Sequence, residues 1–228
     1  MPGYGLAGHI GLAKETTWGT AVAATEYFEA LSESIASTLD RFAIANIVGR
    51  FSEPDDMSGI ERIGGDLIWS GHPQTLGNIL NSTFGVQSNL VVLSGFLHQH
   101  RFTLQNSDAA SNNPLPPLTL EVFRDVTSSQ QYRGCQVSRL QFSAAPNQDL
   151  RVTASMLARS TVHIAKTTAT FPGSPVTPFA FDTCSISLGG AGTSLIEAFT
   201  LTIDNQLEGI PTLDSSTIIA KIRRTGPQ

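Results

Sequence analysis

His98 and His100 stand two residues apart in the stretch LHQHRFTL. On a strand, that spacing turns both imidazoles to one side, where two nitrogens could hold a metal ion. No Cys or carboxylate stands at ligand spacing to complete such a site, so a surface or structural pair is the favoured reading and no metal is expected. Asp55 and Asp56 are adjacent carboxylates beside Pro54, a composition that belongs to a solvated turn. Gly189–Gly192 spells GGAG, without the GxGxxG spacing or the Lys-Ser/Thr ending of a phosphate cradle, which makes it a bend. Cys135 and Cys184 lie 49 positions apart with no CxxC partner and read as reduced, half-buried core thiols. Ser, His and Asp all occur, but in a chain with 23 Ser and 23 Thr their co-occurrence carries no weight. No HExxH, GxSxG or Cys/His nucleophile context is found. The chain is therefore expected to hold no cofactor and not to be an enzyme.

Composition points elsewhere. Only 14% of the 228 residues are charged, against a usual quarter or so, and hydroxyl side chains fill the gap. Such a surface is weakly protected by charge repulsion against sticking to itself. A net charge of -5 argues against neutralising nucleic-acid phosphates. Arg outnumbers Lys 11 to 3, which suits partly buried pairing at interfaces. The start, MPGYGLAGHIGLAKE, lacks the basic and apolar runs of a signal peptide, and the longest apolar patch, NLVVLSGFL, is too short to span a membrane. Synthesis and folding in a cytoplasm are expected.

The elements that must position these residues are mostly strands. Ile63, Gly65, Leu67 and Trp69 alternate with Arg62, Asp66 and Ile68; Leu118, Leu120 and Val122 with Thr119, Glu121 and Phe123; Leu140, Phe142 and Ala144 with Arg139, Gln141 and Ser143. The same period of two runs through Leu150–Met156, Cys184–Leu188 and Phe199–Ile203, predicting half-buried antiparallel strands. APNQD (Ala145–Asp149) predicts a hairpin turn, and the stretch from Phe199 to Arg224 reads as a second hairpin with an insert over Asn205–Ser216. One helix is expected over residues 73–84, with Pro73 in its first turn and Gly85 closing it. The fold class is mainly β: an antiparallel β-sandwich or half-barrel with one flanking helix, an extended N-terminal arm at 1–26, and a single β domain at 27–228 with a long loop at 40–59. The arm has almost no periodicity before Tyr27, which predicts that its packing partner lies on another copy.

Taken in order, three features resemble one family. They are Lys-Glu-Thr-x-x-Gly-Thr-Ala-Val at Lys14–Val22, the Gly65-x-Leu67 strand running into a helix ending Leu80-x-x-x-x-Gly85, and Tyr132-x-Gly134-Cys135-x-Val137-x-x-Leu140. The chain resembles, from about Ile10 to Arg224, the tail tube (major tail) proteins of long-tailed bacteriophages.

That resemblance implies a structural virion protein that assembles into stacked hexameric rings, a tube through which viral DNA passes without specific binding. It implies partners in further copies of itself and in tape measure, tail terminator and tail-tip proteins, with assembly in the bacterial host cytoplasm and residence in the virion tail. It makes Lys14, Glu15, Trp18, Tyr27, Arg41, Arg50, Glu53, Asp55 and Asp56 candidates for contacts between subunits or rings. Asp66, Arg139, Gln141, Arg151, Thr153 and Asp204, on polar strand faces, are lumen candidates. Two other readings stay open: another tube-like virion or secretion component (a tail terminator or baseplate hub), and a carbohydrate-binding or adhesin-like sandwich, which would call for exposed aromatic platforms.

Overall fold

The computed structural model describes residues 7–44, 56–94, 97–105, 115–171, 177–185, 187–188, 191–192, 196–214 and 217–226. Strand β1 (His9–Lys14) is followed by β2 (Glu26–Phe28), β3 (Ala30–Glu33) and β4 (Ala36–Ala43). The 15-residue β5 (Asp56–Ser70) leads to helix α1 (Gly77–Phe84). Next come the pair β6 (Gly85–Ser94) and β7 (Leu97–Leu104), then β8 (Leu118–Phe123) and the 17-residue β9 (Ser128–Ala144). The remainder is β10 (Arg151–Ala158), β11 (Ser160–Ala165), the short pair β12 (Ser187–Leu188) and β13 (Ala191–Gly192), then β14 (Phe199–Asp204), β15 (Leu207–Ile210) and β16 (Lys221–Arg224). The architecture is mainly antiparallel β with open sheets and a single helix among the described residues, as the alternation predicts.

Strand β9 belongs to two sheets. Its first half pairs with β8 and β11, giving one sheet ordered β2-β1-β8-β9-β11; its second half pairs with β10 and β14, giving another ordered β14-β9-β10-β5, with β3 and β4 both on the far side of β5. The crossing needs a local break in regular strand geometry, and Gly134 supplies it at φ 63°. A Cβ there would stand 2.7 Å from Trp18 Nε1, so both the backbone and the space require glycine. Four residues on, Ser138 bulges out of register, and its hydroxyl donates to the Ser155 carbonyl at 3.0 Å.

The core lies between the two sheets. Ile10, Leu12 and Leu120 face Leu67, Trp69 and Val152, all nearly inaccessible, and the Phe28 and Trp69 rings meet at 5.5 Å. Each such large side chain contributes roughly 1.5–3 kcal/mol on burial. Helix α1 tucks Ile79 into this core, and buried Asn205 donates from Nδ2 to the carbonyls of Thr83 and Val137, satisfying a carbonyl in the last helical turn.

Several expectations need correction. The helix starts at Gly77, because Thr75 closes a turn onto His72 O through both its N–H and its hydroxyl, which leaves Pro73 ahead of the helix. Strand β8 is buried on both faces: Thr119 and Glu121 are as inaccessible as Leu120, since other chain segments lie over the supposed outer face. Cys135 is buried, but Cys184 is exposed after a short 3₁₀ turn at Phe181–Thr183 rather than within a strand. The run from Phe199 to Asp204 pairs with β9, and the closing hairpin is β15 with β16, so Leu207–Ile210 is strand where an insert was expected. Leu201 is exposed because β14 is an edge strand that overhangs the core.

Candidate assembly surfaces

The N-terminal arm is part of its own fold. β1 pairs with β2 on one side and β8 on the other, and residues 15–25 then fold back over the outer face of that sheet. Glu15 is the anchor. Only 3% exposed, it accepts hydrogen bonds from Gly134 N (2.8 Å), Thr119 Oγ1 (2.8 Å) and Gly19 N (2.7 Å). Burial pushes its carboxyl above the ordinary range, and those three donors partly offset the push. Trp18 donates from Nε1 to Gly134 O and lies under the Arg159 guanidinium, 4.7 Å from the ring centre. Tyr27 is buried, its hydroxyl paired with Thr167, whose own N–H and hydroxyl reach the buried Glu121 carboxylate. These contacts of Glu15, Trp18 and Tyr27 lie within the chain and tie this part of the arm to its own sheet. The arm lacks periodicity because it packs as an irregular cover held by side-chain hydrogen bonds. Lys14 alone of the arm candidates is exposed.

The described ends of the expected loop at 40–59 are paired strand. β4 and the first half of β5 pair from Ala36↔Gly64 to Ala43↔Asp56, so Asp40–Ala43 and Asp56–Gly59 are strand. Every β4 residue is exposed, as are the first residues of β5, which makes this a ribbon standing off the body. Arg41 faces Ser58, Asp56 faces Ala43, and Arg62 is bound to Asp40 at 3.0 Å. Arg50, Glu53 and Asp55 lie outside the described residues. The ribbon also carries an apolar pair not foreseen from the sequence: Phe42 and Met57 are directly opposed and are 55% and 48% exposed.

The six lumen candidates do share one face. Across β14, β9, β10 and β5 the registers align Asp204, Arg139, Ser155 and Asp66 in one row and Thr202, Gln141, Thr153 and Ile68 in the next, followed by Thr200, Ser143, Arg151 and Ser70. Ser155 Oγ donates to Asp66 Oδ1 at 2.6 Å. The face is hydroxyl-rich, with two Asp balancing two Arg. The chain's net negative charge therefore does not reside on it.

His100, in β7, is exposed, stacked near Phe102 and within 3.3 Å of Gln87 Nε2. No cluster of three or more potential metal ligands gathers among the described residues, and no described helix is long and apolar enough to cross a membrane. A family model described as phage tail tube protein matches residues 5–226. Among solved structures, the chain is similar to the sheath/tube terminator of an extracellular contractile injection system in its extended state. That match has 12% identity and a TM-score of 0.42, and covers 72% of this chain and 96% of that one. No curated protein matches the chain.

Proposed function

From the premise that this chain belongs to the phage tail tube protein family, we propose that it builds the tube itself, as stacked hexameric rings conducting viral DNA. Membership makes it a structural component of the virion tail. The observation that carries the ring reading is the open four-strand face: among the described residues β14 pairs only with β9, and β3 and β4 only with β5. Both edges can accept a strand, and head-to-tail addition of β14 of one copy beside β3 and β4 of the next continues one sheet around a closed circle. Low charge supports this, because edge lysines, the usual block to such pairing, are scarce.

The polar face of that sheet then lines the lumen, with Asp66, Arg139, Gln141, Arg151, Thr153 and Asp204 at its surface. A balanced, hydroxyl-rich wall releases few counterions from DNA and so lets it slide. The β4–β5 hairpin, including Arg41 and Asp56, reaches the adjacent ring. Assembly takes place in the host cytoplasm with tape measure, terminator and tail-tip proteins as partners, and the chain performs no catalysis. Negative-stain electron microscopy at rising protein concentration, alongside mass in solution, tests the proposal. Hollow tubes or stacked rings are expected; protein that stays monomeric even beside tail-tip seeds refutes it.

A further inference from the structure

We propose that the apolar pair of the β4–β5 hairpin of one copy seats in an aromatic pocket at the opposite end of the next copy. This rests on the tube reading and deepens it by naming the receptor for the axial contact.

The pocket, of about 260 Å³, is lined by Ala144, Leu150, Phe179, Phe181, Cys184 and Phe199. Its wall is laid across the ends of two strands: Phe179 N donates to Gly71 O at 3.0 Å, and Leu150 N donates to Phe179 O at 2.7 Å. Phe181 N reaches Gln148 O, and Cys184 N closes the turn onto Phe181 O. Phe179 and Phe181 are 42% and 44% exposed. Aromatic rings gathered around an open apolar pocket mark a docking surface.

Position identifies the occupant. Strand β5 ends at Ser70, opposite Arg151 and next to this pocket; it begins at Asp56, out on the hairpin. At roughly 3.3 Å per residue its 15 residues hold the two apolar features about 45 Å apart. They cannot meet within one chain. Joined between chains, they make a contact of unlike surfaces, which propagates along the strand direction as an axial stack must. The chemistry is complementary. Phe42 and Met57 offer an aromatic ring and a thioether to a pocket of three Phe rings. Arg41 adjoins Phe42, while Asp149 and Asp182 adjoin pocket residues. Arg62, the other cation on the described strands of the hairpin, is already held by Asp40.

Cys184 provides the test, since it lines the pocket, whereas Cys135 is buried. Protein carrying Met57→Cys is assembled and treated with diamide, then run on a non-reducing gel beside Met57→Cys/Cys184→Ser. A ladder of disulfide-linked dimers and longer species, lost in the double variant, is the expected result. Tubes that form without a ladder, or a ladder that survives Cys184→Ser, overturn the pocket assignment and leave the tube reading standing. Failure to assemble at any concentration, in these variants and in the unaltered protein alike, overturns both.

Discussion

Replacing Glu15 by Ala should cost the fold about 3 kcal/mol, although the residue lies in a stretch without periodicity. The carboxylate is 3% exposed and serves three donors: Gly134 N and Thr119 Oγ1 on one oxygen, Gly19 N on the other. A buried donor left without an acceptor costs ~1–3 kcal/mol. The Thr119 hydroxyl can rotate towards another acceptor, but the two backbone N–H groups cannot. Relief from burying a charge offsets part of the loss, which leaves the net at about 3 kcal/mol. Glu15→Gln keeps one acceptor oxygen for Gly134 and Thr119 and sets an amide NH₂ against Gly19 N–H, so its cost should be about 1 kcal/mol. In urea, with a slope of about 2–3 kcal/mol/M, the Ala variant's midpoint should fall by roughly 1–1.5 M at unchanged slope. The pH profile gives a second reading. The folded carboxyl has a raised pKa, so the folded state holds its proton more tightly than the unfolded chain, whose ordinary value is 4.5. Stability from this group is therefore greatest on the acid side and declines as pH rises from 4.5 through the folded value. Glu15→Gln should flatten that decline; Glu26, raised by burial in the same direction, leaves a remainder. An Ala variant no less stable than Gln, or a loss under about 1 kcal/mol, would refute the reasoning.

Three further outcomes are expected. Removing residues 1–25 deletes β1 from between β2 and β8 and should abolish cooperative unfolding followed by far-ultraviolet circular dichroism. Arg124 grips Glu33 at 2.5 and 2.8 Å and donates to Ile35 O at 2.7 Å; Arg124→Met should cost about 2 kcal/mol, or roughly 4–8 °C in Tm, and Arg124→Lys should recover little because it lacks the fork. Maleimide should label Cys184 in the folded protein and Cys135 only after unfolding, since burial both hides the Cys135 thiol and pushes its pKa up.

Strand identity was legible wherever one face meets the core and the other meets water. That is why Ile63–Trp69 and Val152–Met156 were read correctly from a period of two. The rule failed on β8, where Glu121 and Thr119 look like solvent-facing residues but are buried beneath the returning arm and the segment at Thr167. Nothing local distinguishes a polar residue facing water from one facing a hydrogen-bonding cover. The arm's packing within its own chain was not legible for the related reason that hydrogen bonds spanning 97 to 119 positions leave no periodic trace. Phe199–Ile203 was recognised as a strand, but its partner β9 lies far back in the chain, and the edge position that exposes Leu201 follows from topology alone. The shared polar face of Asp66, Arg139, Gln141, Arg151, Thr153 and Asp204 followed from parity; the aromatic pocket did not, because Leu150, Phe181 and Phe199 come from separate segments.

The sharing of β9 between both sheets has a mechanical consequence. Two stacked sheets joined only by side chains can be prised apart like the covers of a book, one contact after another. Here one continuous backbone passes from one cover into the other through Gly134 and the Ser138 bulge. Opening the core therefore requires stripping the hydrogen-bond ladder from one half of β9. Tension along that strand loads many such bonds in shear at once, and each half holds only while the other does.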